Sequence, residues 1–491
     1  MSSKAELQYG TVKNFIAGEW RTPDGDGQKV INPATGDAIA DIKFSSAKTV
    51  DDAVRAGQSA FSEWRHQPVE ERIQPLFEFK NLLESNQDEI AEILVKEHGK
   101  TFAEAKGELR RGIENVEVAC GIPTLMQGGS LGNAAPNIDE TAVREPLGVF
   151  AAVTPFNFPG MIPLWFLPYA VATGNSFILK PSEQDPLTAQ RIFELIEKAG
   201  FPEGVVQLVN GSVETVQAIL ENDGIEGVSF VGSTPVAREI YKTAAANGKR
   251  VQAQGGAKNH VIVTESADLE FAAAKTVSSA LACSGERCLA NDVAVVEKPV
   301  YEEFVDHVIE KSKEQVVGYG LDEDTSVGAL ITPEHEQMVR EYVETGIREG
   351  AELVLDGRDV EVEGYTEGNF LGPCIFRDVT SDMTIASEEI FGPVLGVMSA
   401  ENLQEAIEIM NASNYGNAAS LFTGRGADAR KFKHNAEAGN LAVNAGTAAP
   451  MAFFHFGGEK DSFFGDLHAQ SEDVVRFYTD ETIYIERWPD S

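Results

Sequence analysis

The chain contains 491 residues, of which 43% are hydrophobic, and its 77 Asp and Glu residues outnumber its 40 Lys and Arg residues. The resulting net charge of −37 argues against nucleic acids and anionic membrane surfaces as partners, because both need a basic protein face. The length accommodates two or three domains with sizeable cores.

The acidic composition has two compatible interpretations. The acidic side chains can form a solvated face that keeps the protein soluble, and they can be an adaptation to high intracellular salt, which screens their repulsion. The four cysteines form no C-x-x-C pair, so neither a disulfide framework nor a metal site is expected. Residues 1–10 lack the apolar core of a secretion signal, and no run of 18 apolar residues occurs. We therefore expect a cytoplasmic protein.

The first 145 residues combine short strands with helices. Residues 1–40 are typical of short strands and turns, and apolar residues recur at helical spacing across 49–120. The last of these helices carries Arg110 and Arg111, which can form ion pairs on a solvated face or bind an anionic substrate. Residues 124–145 are Gly-rich and loop-like and lead into a strand.

Beyond residue 145, buried-type strands alternate with helices. Strands are predicted at 148–153, 175–181, 205–209 and 227–233, with helices at 188–198 and 213–220. This alternation predicts a parallel, doubly wound sheet, whose ligands bind beyond the carboxyl ends of the strands. Asn157, Lys180 and Ser233 follow such strands, so we expect them to face a ligand.

The ordinary dinucleotide-binding fingerprint is absent, because no strict G-x-G-x-x-G follows any strand. Gly232 and Ser233 instead stand at a predicted helix start. That position suits a phosphate group, but a simple helix cap fits it equally well.

The remaining chain predicts a second α/β domain and a tail. Strands and helices alternate again across 260–450. Residues 451–491 are rich in aromatic and loop residues and end in an apolar strand at 482–485. An exposed apolar terminal strand suggests pairing with another subunit.

A candidate nucleophile lies between these two regions. Cys288 follows Gly285-Glu286-Arg287, and a neighbouring cation such as Arg287 lowers the pKa of a thiol. Gln254 stands 34 residues earlier, directly before two glycines. Its amide cannot take a proton, so it cannot act as a general base.

Together these segments resemble the NAD(P)-dependent aldehyde dehydrogenase superfamily over essentially the whole chain. The resemblance rests on Thr154-Pro155-Phe156-Asn157-Phe158-Pro159, Leu179-Lys180-Pro181-Ser182-Glu183, Phe230-Val231-Gly232-Ser233-Thr234, Gly285-Glu286-Arg287-Cys288 and Glu389-Ile390-Phe391-Gly392-Pro393. It implies an α/β protein with three parts. These are a Rossmann-type, doubly wound NAD domain (1–123 and 146–254), a second α/β catalytic domain (255–450), and a β oligomerisation arm with the tail (124–145 and 451–491).

The resemblance also implies roles for individual residues. Cys288 would attack the aldehyde carbon, and Asn157 would donate to the oxygen as it becomes negative. The cofactor NAD would be held by Phe156, Lys180, Glu183, Gly232, Ser233, Glu389 and Phe391. The Glu183 carboxylate would favour NAD over NADP, because it repels a 2′-phosphate. No metal is implied.

The chain departs from hydrolytic members of the family at Gln254. Those members carry a glutamate at this position, in Glu-Leu-Gly-Gly-Lys, which activates water to release the acyl group from the cysteine. Loss of a positioned base typically slows such a step by about 10²–10⁴-fold. A thiol such as coenzyme A needs no such base, because part of it is already thiolate.

The substitution resembles one branch, the CoA-acylating methylmalonate-semialdehyde dehydrogenases. In that branch, residues matching Arg111 and Arg287 hold the substrate carboxylate, and the acyl-enzyme loses CO2 before CoA collects propionyl or acetyl. The branch usually has asparagine at the position of Gln254, and its substrate loop is proline-rich where this chain has 444–454. A homodimer or homotetramer is the implied assembly.

Two other interpretations remain open. The chain can be a dehydrogenase of another semialdehyde, such as 2,5-dioxopentanoate or succinate semialdehyde, that releases the free acid. It can also be a catalytically silent protein on the same fold, although the presence of Cys288, Asn157 and Glu389 together argues against that.

Overall fold

The computed structural model describes residues 7–488 of the chain. Residues 1–6, which begin the segment predicted to carry no secretion signal, and residues 489–491 lie outside the described part. None of the helices between residues 7 and 488 combines the length and apolar composition that crossing a bilayer requires.

The strands, in chain order, are β1 (Asn14–Ile16), β2 (Glu19–Arg21), β3 (Gly27–Ile31), β4 (Ala38–Lys43), β5 (Ser130–Ala135), β6 (Ile138–Pro146), β7 (Val149–Val153), β8 (Ser176–Lys180), β9 (Val206–Leu208), β10 (Ile225–Val231), β11 (Arg250–Gln254), β12 (Asn259–Val263), β13 (Asn291–Glu297), β14 (Glu352–Leu355), β15 (Cys374–Arg377), β16 (Val394–Ala400), β17 (Tyr415–Gly416), β18 (Ala418–Phe422), β19 (Asn440–Val443), β20 (Glu459–Lys460), β21 (Phe463–Gly465) and β22 (Thr479–Arg487).

The α-helices are α1 (Ala47–Trp64), α2 (Val69–Arg72), α3 (Gln74–Ser85), α4 (Gln87–His98), α5 (Phe102–Ala119), α6 (Ile122–Leu125), α7 (Leu167–Ala172), α8 (Leu187–Ala199), α9 (Val213–Glu221), α10 (Thr234–Ala246), α11 (Leu269–Leu281), α12 (Tyr301–Lys313), α13 (Pro333–Glu349), α14 (Thr384–Ser387), α15 (Leu403–Asn411), α16 (Gly426–Asn435) and α17 (Ser471–Tyr478).

An eight-stranded sheet forms the first layer, in the order β2-β1-β9-β8-β7-β10-β11-β21. Strands β9, β8, β7, β10 and β11 are mutually parallel, and β7 and β8 are buried along their whole length. Val153 pairs with both Lys180 and Phe230, so the carboxyl ends of β7, β8 and β10 meet at one edge. The predicted doubly wound parallel sheet is thereby confirmed.

A second, seven-stranded sheet follows the order β14-β15-β16-β13-β12-β18-β19 and is parallel except for β14. It confirms the second α/β layer that the sequence predicts. Cys288 lies just before β13, and Glu389 lies just before β16. Cys288 and Glu389, which are far apart in the sequence, therefore both precede strands of this second sheet.

Strands β5, β6 and β22 form a separate three-stranded antiparallel sheet. The prediction that 124–145 is loop-like was wrong for Ser130–Ala135, which pairs with β6 despite its small residues. The predicted terminal strand at 482–485 lies inside β22. Strand β21 of the tail instead extends the eight-stranded sheet beside β11. The domain boundaries inferred from the sequence stay a prediction.

Candidate active site

A cavity of about 490 Å³ joins residues from four segments of the chain. The nucleophile loop contributes Cys283, Arg287 and Cys288, and helix α5 contributes charged residues including Arg111. The lining is completed by Phe158, Met161, Trp165, Ala449, Pro450, Phe456 and Gln470, among others. The predicted nucleophile and both predicted carboxylate-binding arginines therefore face one space.

The turn before Cys288 has an unusual backbone. Cys283 and Ser284 adopt φ of 51° and 55°, the left-handed region that non-glycine residues rarely enter. A side chain at Gly285 would collide with the backbone of Gly392. Two hydrogen bonds to other segments stabilise this turn. The Glu104 carboxylate accepts from the Cys283 N–H at 2.6 Å, and the Ser284 hydroxyl donates to Gly328 O at 2.9 Å.

The backbone of Cys288 is also fixed by side chains. Its carbonyl oxygen accepts from Asn259 Nδ2 at 2.9 Å and from Asn417 Nδ2 at 2.7 Å. Asn259 opens β12 and Asn417 directly precedes β18, so both donors come from rigid neighbouring strands of the second sheet. The position of the nucleophile is therefore set by the sheet.

Arg287 lowers the thiol pKa of Cys288, as the sequence predicts, but desolvation has a larger and opposite effect. Desolvation raises the pKa of Cys288 to about 12, and the neighbouring Arg287 cation opposes this only in part. The Cys288 thiol is partly buried, and the water that it loses would have stabilised its anion more than one cation does. In the free protein at neutral pH, Cys288 is therefore a thiol.

Asn157 lies in the loop after β7, where the sequence predicts a ligand-facing residue. Its side chain is almost fully buried, and its Oδ1 has no hydrogen-bond partner in the described part of the chain. Its backbone oxygen accepts from Lys100 Nζ at 2.7 Å. The protein thus fixes the backbone of Asn157 and leaves the side-chain amide uncommitted for a ligand.

Gln254 is the last residue of β11 and is buried. Its Nε2 donates to the carbonyl oxygen of Phe456 at 3.4 Å, and Phe456 lines the cavity. The structure therefore places this amide beside a residue of the cavity wall, at the position where the resemblance implies a glutamate in hydrolytic members. An amide there has no basic atom to offer to water.

The two arginines differ in their partners. Arg111 donates to Glu114 Oε2 at 2.7 Å and also to the Pro450 carbonyl, so its charge is shared with the protein. Arg287 forms neither an ion pair nor a side-chain hydrogen bond with any residue between 7 and 488. Of the predicted pair, Arg287 is the guanidinium that is free to bind an anion.

A second group of predicted residues lies at the carboxyl edge of the eight-stranded sheet. Lys180, at the end of β8, forms an ion pair of 2.6 Å with Glu183. Ser233 occupies the N-cap position of α10, but its hydroxyl makes no capping bond. Of the two interpretations of Ser233, the simple cap therefore lacks its defining hydrogen bond.

Glu389 approaches the glycines that follow Gln254. Its Oε1 accepts from the Ala257 N–H at 2.8 Å, and a side chain at Gly256 would collide with its Oε2. Burial raises the pKa of Glu389 to about 7, and the Ala257 N–H opposes this. The glycine at 256 is thus required for the carboxylate to come this close.

Phe156 and Phe391, both predicted to contact the cofactor, lie against each other. Their ring centroids are 5.9 Å apart, with the planes at 89°. His335 holds the loop of Phe391, because its Nε2 is 2.7 Å from the Phe391 carbonyl oxygen. Desolvation lowers the pKa of His335, so the ring is neutral and donates this bond.

These residues offer groups of the kinds that bind a dinucleotide. Hydroxyl and backbone N–H groups at the start of α10 suit phosphates. The ion-paired Glu183 and the buried Glu389 offer acceptors for ribose hydroxyl groups, and the paired rings offer an apolar surface.

Sequence reasoning missed Lys100, Glu104 and Glu108. The structure places Lys100 and Glu108 in a fully buried ion pair beside Asn157, and Glu104 against the nucleophile turn. Lysine and glutamate are usually exposed, so nothing in the residue types reveals their burial. The one available signal is the Thr101-x-x-Glu104 capping box at the start of α5, which points to Glu104 alone.

Comparison with known proteins is consistent with this arrangement. The model of the aldehyde dehydrogenase family matches residues 20–483. A malonate-semialdehyde dehydrogenase of Bacillus pumilus is 45% identical over 488 residues, which cover 99% of this chain and 100% of that protein. Malonate-semialdehyde dehydrogenase 2 of Geobacillus kaustophilus is 46% identical over 97% of this chain and 99% of its own.

Solved structures show the same fold. The structure of a protein from Sinorhizobium meliloti, assigned as a methylmalonate-semialdehyde dehydrogenase and complexed with NAD, has a TM-score of 0.97 at 40% identity. It is matched over 100% of this chain and 99% of its own. The methylmalonate-semialdehyde dehydrogenase of Oceanimonas doudoroffii also has a TM-score of 0.97, at 43% identity, over 98% of this chain and 99% of its own.

Proposed function

The chain belongs to the aldehyde dehydrogenase family, and we propose that it oxidises malonate or methylmalonate semialdehyde with NAD and passes the acyl group to coenzyme A. The observation that carries this proposal is the unpaired guanidinium of Arg287 in the cavity of Cys288. A cation without a counter-ion beside the nucleophile favours a substrate that brings its own carboxylate. The relatives named after these two semialdehydes support the same substrate class.

In the proposed reaction, Arg287 binds the carboxylate and Cys288 attacks the aldehyde carbon at the other end. Negative charge develops on the aldehyde oxygen, where the Asn157 amide and the Cys288 N–H donate hydrogen bonds. When bound, NAD supplies the hydride acceptor, and the acyl group remains on Cys288 as a thioester. Because the Cys288 thiol is protonated in the free protein, it must lose its proton before or during the attack.

We assign NAD to the carboxyl edge of the eight-stranded sheet. Lys180 and Glu183 would hold the adenosine ribose, and Gly232 and Ser233 would face the pyrophosphate. Glu389 would hold the nicotinamide ribose, and Phe391 and Phe156 would contact the nicotinamide ring. The Glu183 carboxylate disfavours the 2′-phosphate of NADP. The Sinorhizobium meliloti relative was solved with NAD.

Release of the acyl group follows from Gln254. Without a base there, water is a poor acceptor, whereas the thiolate of CoA attacks the thioester directly. Before that attack, a malonyl-type thioester can lose CO2, because the thioester carbonyl stabilises the enolate that remains. Protonation of that enolate leaves acetyl or propionyl on Cys288, and thiol exchange with CoA gives acetyl-CoA or propionyl-CoA.

The test is to follow NADH formation with malonate and methylmalonate semialdehyde, with and without CoA, and to identify the product. We expect sustained turnover only with CoA, and an acyl-CoA product. Fast CoA-independent turnover to a free acid would refute the proposal. Faster turnover of 2,5-dioxopentanoate or succinate semialdehyde to the free acid would instead support the alternative activity, a dehydrogenase of another semialdehyde. A Cys288→Ala variant serves as the inactive control.

We also propose that the protein assembles as a homodimer or homotetramer through β22. Its apolar side chains face outward, with Ile483 55% and Ile485 66% exposed in the single chain. A surface strand with this composition favours pairing with a second copy. Ile485→Lys should lower the mass measured by light scattering, and an unchanged mass would contradict the assignment of this strand. The cytoplasmic location inferred from the sequence stays a prediction.

A further inference from the structure

We propose that the buried Lys100–Glu108 ion pair positions Asn157 for catalysis by fixing the loop that carries it. The inference rests on the proposed function only in taking Asn157 as the donor to the aldehyde oxygen. Lys100 does not line the cavity of Cys288, and Glu108 lines it with a side chain that has no exposed surface, so we expect both residues to act through Asn157.

The pair is isolated from water. Lys100 Nζ lies 2.6 Å from Glu108 Oε2, and both side chains have no exposed surface. The ammonium group also lies 4.2 Å from the centre of the Phe158 ring. Each charge is thus held by a small set of fixed neighbours, which gives the pair a single geometry.

Both members of the pair bind the loop between β7 and α7. Lys100 Nζ donates to the Asn157 backbone oxygen at 2.7 Å, while Glu108 Oε1 accepts from the Gly160 N–H at 2.6 Å and the Met161 N–H at 3.2 Å. The pair therefore grips this loop at two points on either side of Phe158. Residues 154–161 form neither helix nor strand, so these side chains replace the bonds of regular structure.

Glycines bring the loop and α5 close enough for this grip. A side chain at Gly160 would stand 2.7 Å from Leu109 Cδ2, and one at Gly112 would stand 2.9 Å from Gly160 O. A side chain at Gly112 would therefore require the loop backbone to move, and one at Gly160 would displace the Leu109 side chain. The packing therefore limits how far Asn157 can shift while the pair is intact.

The same helix also reaches the nucleophile. Glu104 Oε1 accepts from the Cys283 N–H in the turn before Cys288, one turn of helix away from Glu108. Side chains at and near the start of helix α5 thus hold both the loop of Asn157 and the turn before Cys288, and so fix the two relative to each other. A shift of about 1 Å between such groups can slow a reaction by about 10²-fold.

Stability alone does not explain the pair. Buried ion pairs are often replaced by neutral residues of similar size without loss of stability, because desolvation offsets their attraction. A positioning role gives a physical reason for two buried charges at this place. A positioning role also predicts that removing the pair slows catalysis while the stability of the fold changes little.

The experiment compares wild type with Lys100→Met/Glu108→Gln, which removes both charges and leaves no buried ion unpaired. The measured quantity is the single-turnover rate of NADH formation without CoA, so the result does not depend on how the acyl group is released. We expect an approximately 10²-fold lower rate, with a thermal midpoint near that of wild type. Lys106→Met on the same helix, where Lys106 forms an exposed ion pair with Asp88, is the control and should keep the wild-type rate.

Asn157→Ala completes the cycle. If the pair acts through Asn157, adding Lys100→Met/Glu108→Gln to Asn157→Ala should lower the rate by no more than about 3-fold, because the positioned group is already gone. The proposal would be overturned if the rate losses of Asn157→Ala and Lys100→Met/Glu108→Gln multiplied in the combined variant. It would also be overturned if Lys100→Met/Glu108→Gln alone kept the wild-type rate.

Glu108→Asp supplies a second variant that keeps both charges but shortens the carboxylate. We expect it to slow NADH formation by about 10-fold while alkylation of Cys288 by iodoacetamide keeps its rate, because alkylation needs no Asn157. A parallel loss of alkylation would indicate general disruption instead and refute a role through Asn157. CoA-independent turnover of wild type would overturn the proposed acyl transfer but leave these rate ratios unchanged.

Discussion

Replacing Arg287 by leucine should change which aldehydes the protein prefers. Leucine removes the guanidinium and keeps an apolar side chain in the cavity wall. A hydrogen bond to a charged group contributes about 1.5–3 kcal/mol, and each 1.36 kcal/mol corresponds to a factor of ten in rate. We therefore expect kcat/KM for malonate semialdehyde to fall by roughly 10–150-fold.

Propanal separates this effect from the influence of Arg287 on the nucleophile. Arg287 lowers the pKa of Cys288 against the larger effect of burial, so its removal raises that pKa further. This part of the loss is common to both aldehydes and cancels in the ratio of their kcat/KM values. The remaining ratio measures recognition of the carboxylate, which propanal lacks.

The assay follows NADH at saturating NAD and CoA with both aldehydes, for wild type and Arg287→Leu. Arg110→Leu is the matched control, since Arg110 lines the same cavity but is paired with Glu117 at 2.7 Å and with Glu84 at 3.4 Å. We expect the control to change the ratio by less than about 3-fold, as for an exposed pair. Equal losses with both aldehydes in Arg287→Leu would show that the guanidinium does not recognise the carboxylate.

Three further predictions concern the amide, the thiol and the surface. Gln254→Glu should raise CoA-independent release of free acid by at least about 10-fold, since a positioned base is worth about 10²–10⁴; unchanged hydrolysis would show that Gln254 is not the barrier to water. The pKa of Cys288 lies near 12, so its thiolate fraction grows tenfold with each pH unit below that value. The rate of alkylation of the free protein by iodoacetamide should therefore rise tenfold per pH unit from pH 7 to pH 10. A plateau of this rate near pH 8 would contradict the prediction. Molar KCl should raise the thermal midpoint by screening the net charge of −37; an insensitive midpoint would rule out salt adaptation.

Strands were predictable from the sequence where their burial is uniform. Strands β7 and β8 are apolar runs buried on both faces, and the predicted ranges agree with them to within a residue at each end. Strand β11 was missed, because Arg250-Val251-Gln252-Ala253-Gln254 looks like a polar loop. In the structure Gln252 lies inside and donates to Ser229 Oγ at 3.0 Å, a partner that only the tertiary fold supplies.

The residues of the site that belong to recognisable motifs could be predicted from the sequence. Cys288, Arg287 and Arg111 meet in one cavity as expected. Two properties could not be predicted, because both depend on desolvation. The thiol pKa follows from burial more than from the adjacent Arg287, and the buried Lys100–Glu108 pair consists of residue types that are usually exposed.

The proposed preference for a carboxylated substrate follows from how the charges of the cavity are already paired. Among the described residues that line it, the Glu104 carboxylate accepts from backbone N–H groups and Glu108 is paired with Lys100. Arg110 and Arg111 are paired with glutamates of their own helix, which leaves Arg287 as the one charge in the lining without a partner. A neutral aldehyde would lie beside this cation without pairing with it, whereas a semialdehyde supplies the missing anion. The proposed selectivity therefore depends on the paired charges of the lining as much as on the unpaired Arg287, because no carboxylate among the described residues competes for Arg287.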